Sequence, residues 1–124
     1  GLLASLSSDG RLAMVVTHPC FRRAGYATFH YELPPDYDYW RSGRAYDVVL
    51  EASSDDDAPS DDTDDHGEAV ITDYHWTLSD YMAAIAAGGG VVTAFRELPA
   101  AFDDNGKPTS PPAYLGVLVR RDDG

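Results

Sequence analysis

The sequence predicts an α/β fold built on one mixed sheet whose last two strands form an antiparallel pair. Residues 12–17 (LAMVVT) form a continuous apolar run without alternation, which is typical of a strand covered on both faces in a parallel sheet. An amphipathic helical pattern over residues 78–87 is followed by a strand, a loop and a final strand, as in α/β units. A chain of 124 residues has room for one such domain.

The first half of the chain contains three further predicted strands. Pro19 ends the strand at 12–17, because proline cannot donate a hydrogen bond to the ladder. An aromatic segment at 26–33 predicts a short strand. Residues 47–52 and 68–74 alternate or cluster apolar side chains and predict two strands that face each other.

An acidic stretch at residues 53–67 (SSDDDAPSDDTDDHG) separates the last two of these strands. Its composition is of low complexity, and it has too little apolar area for burial to offset the entropy lost on ordering. The sequence therefore predicts a mobile acidic loop there.

The second half of the chain predicts one helix and the final strand pair. Thr77 stands at the N-cap position and Asp80 follows three residues later, which is the spacing of a capping box. The glycine triplet at 88–90 follows the helix, so it predicts a C-cap and turn rather than a phosphate-binding loop. Residues 91–97 and 114–120 predict the two antiparallel strands.

The net charge of −12 restricts the classes of partner. A nucleic-acid backbone would be repelled, so no nucleic-acid partner is expected. Of 21 acidic residues 17 are aspartates, and Lys107 is the one lysine, a usage that resembles cytosolic proteins of extreme halophiles. In about 1 M salt the Debye length is roughly 3 Å, so like charges hardly repel. The alternative is an ordinary protein with one acidic loop.

The apolar and cysteine content point to a cytoplasmic protein. No stretch approaches the roughly 20 apolar residues that cross a bilayer, so no membrane partner is expected. Cys20 is the single cysteine, which excludes an internal disulfide and fits a reducing compartment. We expect this thiol to be small, buried core filler. It has no zinc-type spacing to any histidine, so no metal site is predicted.

Two histidines are candidates for a functional site. His75 lies where a strand meets the N-terminus of a helix, and it is either packed near the cap or a substrate contact and general base. His18 ends the strand at 12–17, where open α/β sheets place ligands, and it is either ligand-facing or structural.

An aromatic cluster of Tyr37, Tyr39, Trp40 and Tyr46 follows the short predicted strand. The cluster predicts either a flap packed on the core or the wall of an apolar substrate pocket, and the two are compatible. Tyr39 and Trp40 are the candidate substrate contacts.

Three stretches resemble class I S-adenosylmethionine-dependent methyltransferases. Residues 8–21 (SDGRLAMVVTHPCF) are similar to the family's fifth strand, which often ends in His-Pro. Residues 70–99 (VITDYHWTLSDYMAAIAAGGGVVTAFRELP) look like its next unit, in which a Leu-Ser-x-Tyr segment opens a helix. Residues 114–121 (YLGVLVRR) resemble its last strand. Together these stretches cover 52 of the 124 residues.

The resemblance implies the C-terminal part of a Rossmann-like methyltransferase sheet, with S-adenosylmethionine as cofactor. The family's Gly-x-Gly-x-Gly turn and the acidic residue after its second strand have no counterpart in this sequence. Residues 1–124 are therefore expected to be the C-terminal portion of such a domain, with the cofactor-binding half absent. This chain would supply the sheet end and part of a substrate lid for methyl transfer to a small molecule. It would neither bind the cofactor nor act alone.

The alternative function is a small acidic α+β domain that binds a ligand or partner without catalysis. It differs from the methyltransferase in needing no further half. If the chain is part of a methyltransferase, the strand at 12–17 lacks the parallel neighbour that the absent half would supply. An unpaired apolar strand is a template for pairing with another chain. We therefore expect self-association through 12–17.

Overall fold

A computed structural model describes residues 1–26, 29–50 and 69–122. These residues form two antiparallel three-stranded sheets and one α-helix. The regular elements in chain order are β1 Arg11–Thr17, β2 Phe29–Glu32, β3 Ala45–Leu50, β4 Ala69–Tyr74, α1 Leu78–Ala87, β5 Gly90–Pro99 and β6 Pro112–Arg121. The acidic stretch predicted as a mobile loop at 53–67 lies outside the described residues.

The predicted Rossmann-like α/β sheet is wrong. β1 pairs antiparallel with β6 along its whole length, and every strand pair in the described ranges is antiparallel. The apolar run led to this wrong prediction because β1 carries apolar side chains on both faces, while only one face is covered by the core. Leu12, Met14 and Val16 pack against the core, whereas Val15 is 64% exposed. Such a strand has the same sequence pattern as a strand buried on both faces.

The first sheet has the order β1-β6-β5, so the last strand lies at its centre. The predicted antiparallel pairing of the final two strands is present, with Val92 opposite Val119. Alternate residues of β6 are almost completely buried, as expected for a central strand with one covered face. These residues form the core with Leu3 and Ile85, and they are Leu115, Val117 and Val119.

The helix α1 covers one face of the first sheet, and its predicted bounds and cap are confirmed. Thr77 accepts a hydrogen bond from the backbone N–H of Asp80, and the Asp80 carboxylate accepts one from the backbone N–H of Thr77. Gly88 caps the C-terminus. At Gly90 a Cβ would approach side-chain carbons of Leu3, Ile85 and Val119 within 2.8 Å, so the glycine allows β5 to start directly beneath the helix.

The second sheet has the order β2-β3-β4 and confirms that the segments around 47–52 and 68–74 face each other. It packs on the end of the first sheet through an aromatic cluster. The Tyr26 hydroxyl donates to the carbonyl of Pro112 at 2.9 Å, and the rings of Phe29 and Tyr114 lie 6.0 Å apart. Below it, the backbone N–H of His18 donates to the carbonyl of Ala113 at 2.8 Å.

No helix in the described part of the chain has the length and apolar character needed to cross a membrane.

Replacing Thr77 by alanine should lower the free energy of unfolding by about 1 kcal/mol, since the first turn of α1 loses its side-chain acceptor. Urea unfolding measures the change. Ser79→Ala is the matched control, because Ser79 is exposed in the same turn and caps nothing. Equal stabilities for the two variants would show that the capping box does not support the helix.

The free edge of β1 should promote self-association at about 1 M salt, where the charge of −12 is screened. In the described residues β1 has one strand neighbour, β6. Light scattering should show oligomers of the wild-type chain. The Ala13→Lys variant should be monomeric, because lysine on an edge strand opposes pairing. Ser79→Lys, which adds the same charge on α1, should leave the oligomers intact. A wild-type chain that stays monomeric would contradict the prediction.

Candidate functional site

The segment between β2 and β3, residues 33–44, forms a flap that is fastened to the N-terminus of α1. The backbone N–H of Gly43 donates to the carbonyl of His75 at 2.6 Å, and the N–H of His75 donates to the carbonyl of Arg44 at 2.9 Å. Gly43 has φ of 78°, a left-handed conformation that glycine adopts without strain.

Two side chains of the flap extend this attachment into the first turn of the helix. The hydroxyl of Tyr39 accepts a hydrogen bond from the backbone N–H of Leu78 at 3.0 Å. The hydroxyl of Ser42 donates to the Asp80 carboxylate, and this bond lowers the pKa of Asp80. The first backbone N–H groups of a helix lack acceptors within the helix. The flap therefore supplies an acceptor to α1, and the same hydrogen bond holds the flap in place.

A cleft of about 440 Å³ opens between the flap and the short turn that follows β1. We call it the aromatic cleft. It combines two aromatic rings with a cation, a carboxylate and a thiol, and its lining residues are Cys20, Arg23, Tyr37, Asp38 and Tyr39. Trp40, which is 77% exposed, packs edge-on against Tyr39 with ring centroids 4.9 Å apart. The volume suits a small molecule of one or two rings.

His75 is buried against the aromatic cleft. Its ring meets Tyr37 and Tyr39 edge-on, with centroids 5.3 and 5.4 Å away. Its Nε2 lies 2.7 Å from the carbonyl oxygen of Tyr39. Because a carbonyl only accepts, Nε2 carries the proton and Nδ1 keeps its lone pair. Nδ1 is buried and has no hydrogen-bond partner among the described residues.

His18 lies outside the lining of the cleft, and both of its nitrogens are engaged. Nδ1 accepts from the backbone N–H of Cys20 at 3.2 Å, and Nε2 donates to the Glu97 carboxylate at 2.9 Å. The ring also packs edge-on against Phe21. His18 therefore holds the turn after β1 in place, and a ligand would have to break one of these bonds to contact it.

Behind the cleft lies a buried cation that the sequence did not single out. Arg22 is 2% exposed, and its Nη1 lies 2.5 Å from the hydroxyl of Thr17 and 3.5 Å from the carboxylate of Asp73. Its guanidinium carbon lies 4.9 Å from the ring centre of Tyr31 and 5.1 Å from that of Tyr46. The Nε and Nη2 groups have no partner among the described residues.

The charge of Arg22 acts on the wall of the aromatic cleft. Burial raises the pKa of Tyr37, and the positive charges of Arg22 and Arg23 oppose that rise. Burial likewise raises the pKa of Tyr46, against the opposing charge of Arg22. These tyrosines stay neutral hydrogen-bonding groups at neutral pH.

The structure brings together three of the four predicted site residues. Tyr39, Trp40 and His75 form one aromatic group beside the cleft, whereas His18 is directed to Glu97. The expectation of a buried Cys20 is wrong, because its thiol is exposed and lies 3.7 Å from the Tyr39 hydroxyl. Tyr46, a member of the predicted aromatic cluster, is instead a buried residue of the second sheet.

Comparisons with known proteins identify no relative of this chain. No protein-family model, no curated protein and no solved structure matches the chain. Within the described ranges, no three histidine, cysteine or acidic side chains gather as metal ligands do. The arrangement itself can hold a small planar molecule between aromatic rings and offer it one cation and one anion.

Tyr39→Phe should lower the free energy of unfolding by about 1 kcal/mol, because the N–H of Leu78 loses its acceptor. Tyr37→Phe is the control: its hydroxyl makes no hydrogen bond in the described part of the chain, so its removal should change stability little. Chemical denaturation of the two variants gives the comparison. A Tyr37→Phe variant as destabilised as Tyr39→Phe would show that the helix contact does not hold the flap.

Proposed function

We propose that the chain binds a small molecule in the aromatic cleft, and that it does so as the substrate-binding part of an S-adenosylmethionine-dependent methyltransferase. The observation that carries the binding is the cleft itself, with two tyrosine rings, Arg23 and Asp38 around one volume of about 440 Å³. Methyl transfer requires that water be kept from the reacting group, and aromatic walls suit that requirement.

Support for methyl transfer comes from the places that the three resembling stretches occupy. Residues 8–21, 70–99 and 114–121 lie far apart in the sequence, yet they contain the three strands of the first sheet and the helix that covers it. The flap and most of the second sheet come from residues between the first two stretches. The resembling parts thus contain the first sheet and its helix, together with β4 of the second sheet, and the cleft lies where the intervening segment meets them.

The glycine triplet does not fit a site for the cofactor. The glycine triplet at 88–90 ends α1 and begins β5, and Gly90 is closely packed by three side chains, which leaves no room for an anion. We therefore derive no step through the cofactor. In the proposal, residues outside this sequence hold it, and the aromatic cleft binds and orients the methyl acceptor.

The sequence predicts His75 as a candidate general base. Its surroundings in the structure determine when it could act as one. The free lone pair is on Nδ1, which is buried. An acceptor proton could reach it only if a ligand displaced one of the flanking rings of Tyr37 and Tyr39. Without such a displacement, His75 serves to position the flap through the carbonyl of Tyr39.

The remaining parts of the proposal come from composition. The excess of aspartate and the scarcity of lysine support a halophilic, cytoplasmic protein, and the net charge argues against nucleic acid as a partner.

A ligand-binding domain without catalysis is the second candidate. It is favoured by the antiparallel pairing of all described strands. It requires the same ligand site but no methyl donor.

The test is the coding sequence upstream of Gly1. We expect it to encode a strand, a Gly-x-Gly-x-Gly turn and a helix within about 100 residues. The longer protein should transfer a labelled methyl group from S-adenosylmethionine to a small acceptor, and the 124-residue chain alone should bind no cofactor in calorimetry. A micromolar dissociation constant for the chain alone, or no transfer by the longer protein, would refute the proposal.

A further inference from the structure

We propose that the aromatic cleft takes a planar aromatic ligand that carries a carboxylate at one end and a hydroxyl at the other, with Arg23 as the partner of the carboxylate. The inference rests on the proposed function in taking the cleft as the ligand site. It goes further by naming the class of small molecule that the lining recognises.

The walls of the cleft select for a flat, apolar body. Tyr37 and Tyr39 line it, and Trp40 is exposed beside it, where its ring packs edge-on against that of Tyr39. Aromatic side chains contact planar rings by offset stacking or edge-on, as these rings already do with His75.

Among the described residues, the cation of the cleft has no carboxylate partner. Three other arginines each face an aspartate within 4 Å, and they are Arg22, Arg41 and Arg44. The guanidinium of Arg23 instead lies 5.5 Å from the ring centre of Tyr37. Its donors are therefore available to a ligand carboxylate, which the planar guanidinium can bind in a bidentate way.

Two positive charges act on the same wall. Burial raises the pKa of Tyr37, and the charges of Arg22 and Arg23 oppose that rise. In a protein of net charge −12, two arginines beside one wall of the cleft favour an anionic group at that wall.

Asp38 supplies the opposite preference elsewhere in the lining. One of its carboxylate oxygens accepts a hydrogen bond from the backbone N–H of Trp40 at 3.0 Å. The other oxygen has no hydrogen-bond partner in the described part of the chain. A ligand hydroxyl can donate to this oxygen. Because Asp38 would repel a nearby carboxylate, the hydroxyl and the carboxylate of the ligand must lie apart. An aromatic hydroxyl is also a possible methyl acceptor, which links this ligand class to the proposed function.

Calorimetry with four probes tests the ligand class. We expect 4-hydroxybenzoate to bind most tightly, benzoate and phenol more weakly, because each lacks one polar group, and tyramine most weakly, because its cation meets Arg23. Tyramine binding as tightly as 4-hydroxybenzoate would overturn the proposal in favour of a cationic ligand. Failure of all four probes to bind would overturn it as well.

Variants of Arg23 test the assigned contact. Arg23→Gln should weaken the binding of 4-hydroxybenzoate about tenfold or more, as expected for loss of a charge-assisted hydrogen bond. The affinity for phenol should stay unchanged. Arg23→Lys should fall between, since it keeps the charge and loses the fork. Arg96→Gln, which removes the same charge from exposed β5, should leave both affinities unchanged. Since Arg23 is exposed, circular dichroism should show all three variants folded.

The outcome is separable from that of the proposed function. If 4-hydroxybenzoate binds through Arg23 and the longer protein transfers no methyl group, the ligand class stands and methyl transfer fails. If methyl transfer occurs but Arg23→Gln leaves the affinity for 4-hydroxybenzoate unchanged, the ligand class fails and methyl transfer stands.

Discussion

The N-terminus of α1 is the constraint on which the arrangement of the site depends. Its first backbone N–H groups need acceptors from outside the helix. Thr77, the residue directly before the helix, supplies one acceptor, and Tyr39 supplies another from the flap. The same few residues therefore fix the helix on the first sheet and place the aromatic rings of the cleft. His75, between β4 and α1, completes the link through its contact with the Tyr39 carbonyl.

Charge is distributed in opposite senses on the outside and the inside of this protein. The surface is acidic, but the interior between the two sheets contains Arg22, with aromatic rings on its faces and Asp73 at one edge. A buried cation is tolerated when it is paired and when rings contact its faces. Its charge opposes the rise in the pKa of Tyr37 that burial causes, so a residue that does not line the cleft acts on one of its walls.

Local patterns were predictable and long-range partners were not. The helix over 78–87 follows from a cap and an apolar face that lie within a few residues of each other. The strand at 12–17 was predictable as a strand, but its antiparallel neighbour lies about a hundred residues later, and a run of apolar residues does not reveal how many faces are covered. In the site, Tyr39 and His75 were identified from aromatic clustering and from the position before a helix. The sequence left both roles of His18 open because Glu97, its partner, is 79 residues away, and Arg23 was missed because a basic pair in a turn has no periodicity.

The central place of β6 in the first sheet determines when that sheet can form during synthesis. β1 and β5 do not touch each other as strands, and each is paired through β6, which spans Pro112–Arg121. A nascent chain on the ribosome that has passed residue 99 holds both outer strands and the helix but no strand to join them. The core around Leu115, Val117 and Val119 is missing at that point as well. The first sheet therefore cannot form before β6 has been synthesised, and until then its apolar outer strands lack the strand that joins them.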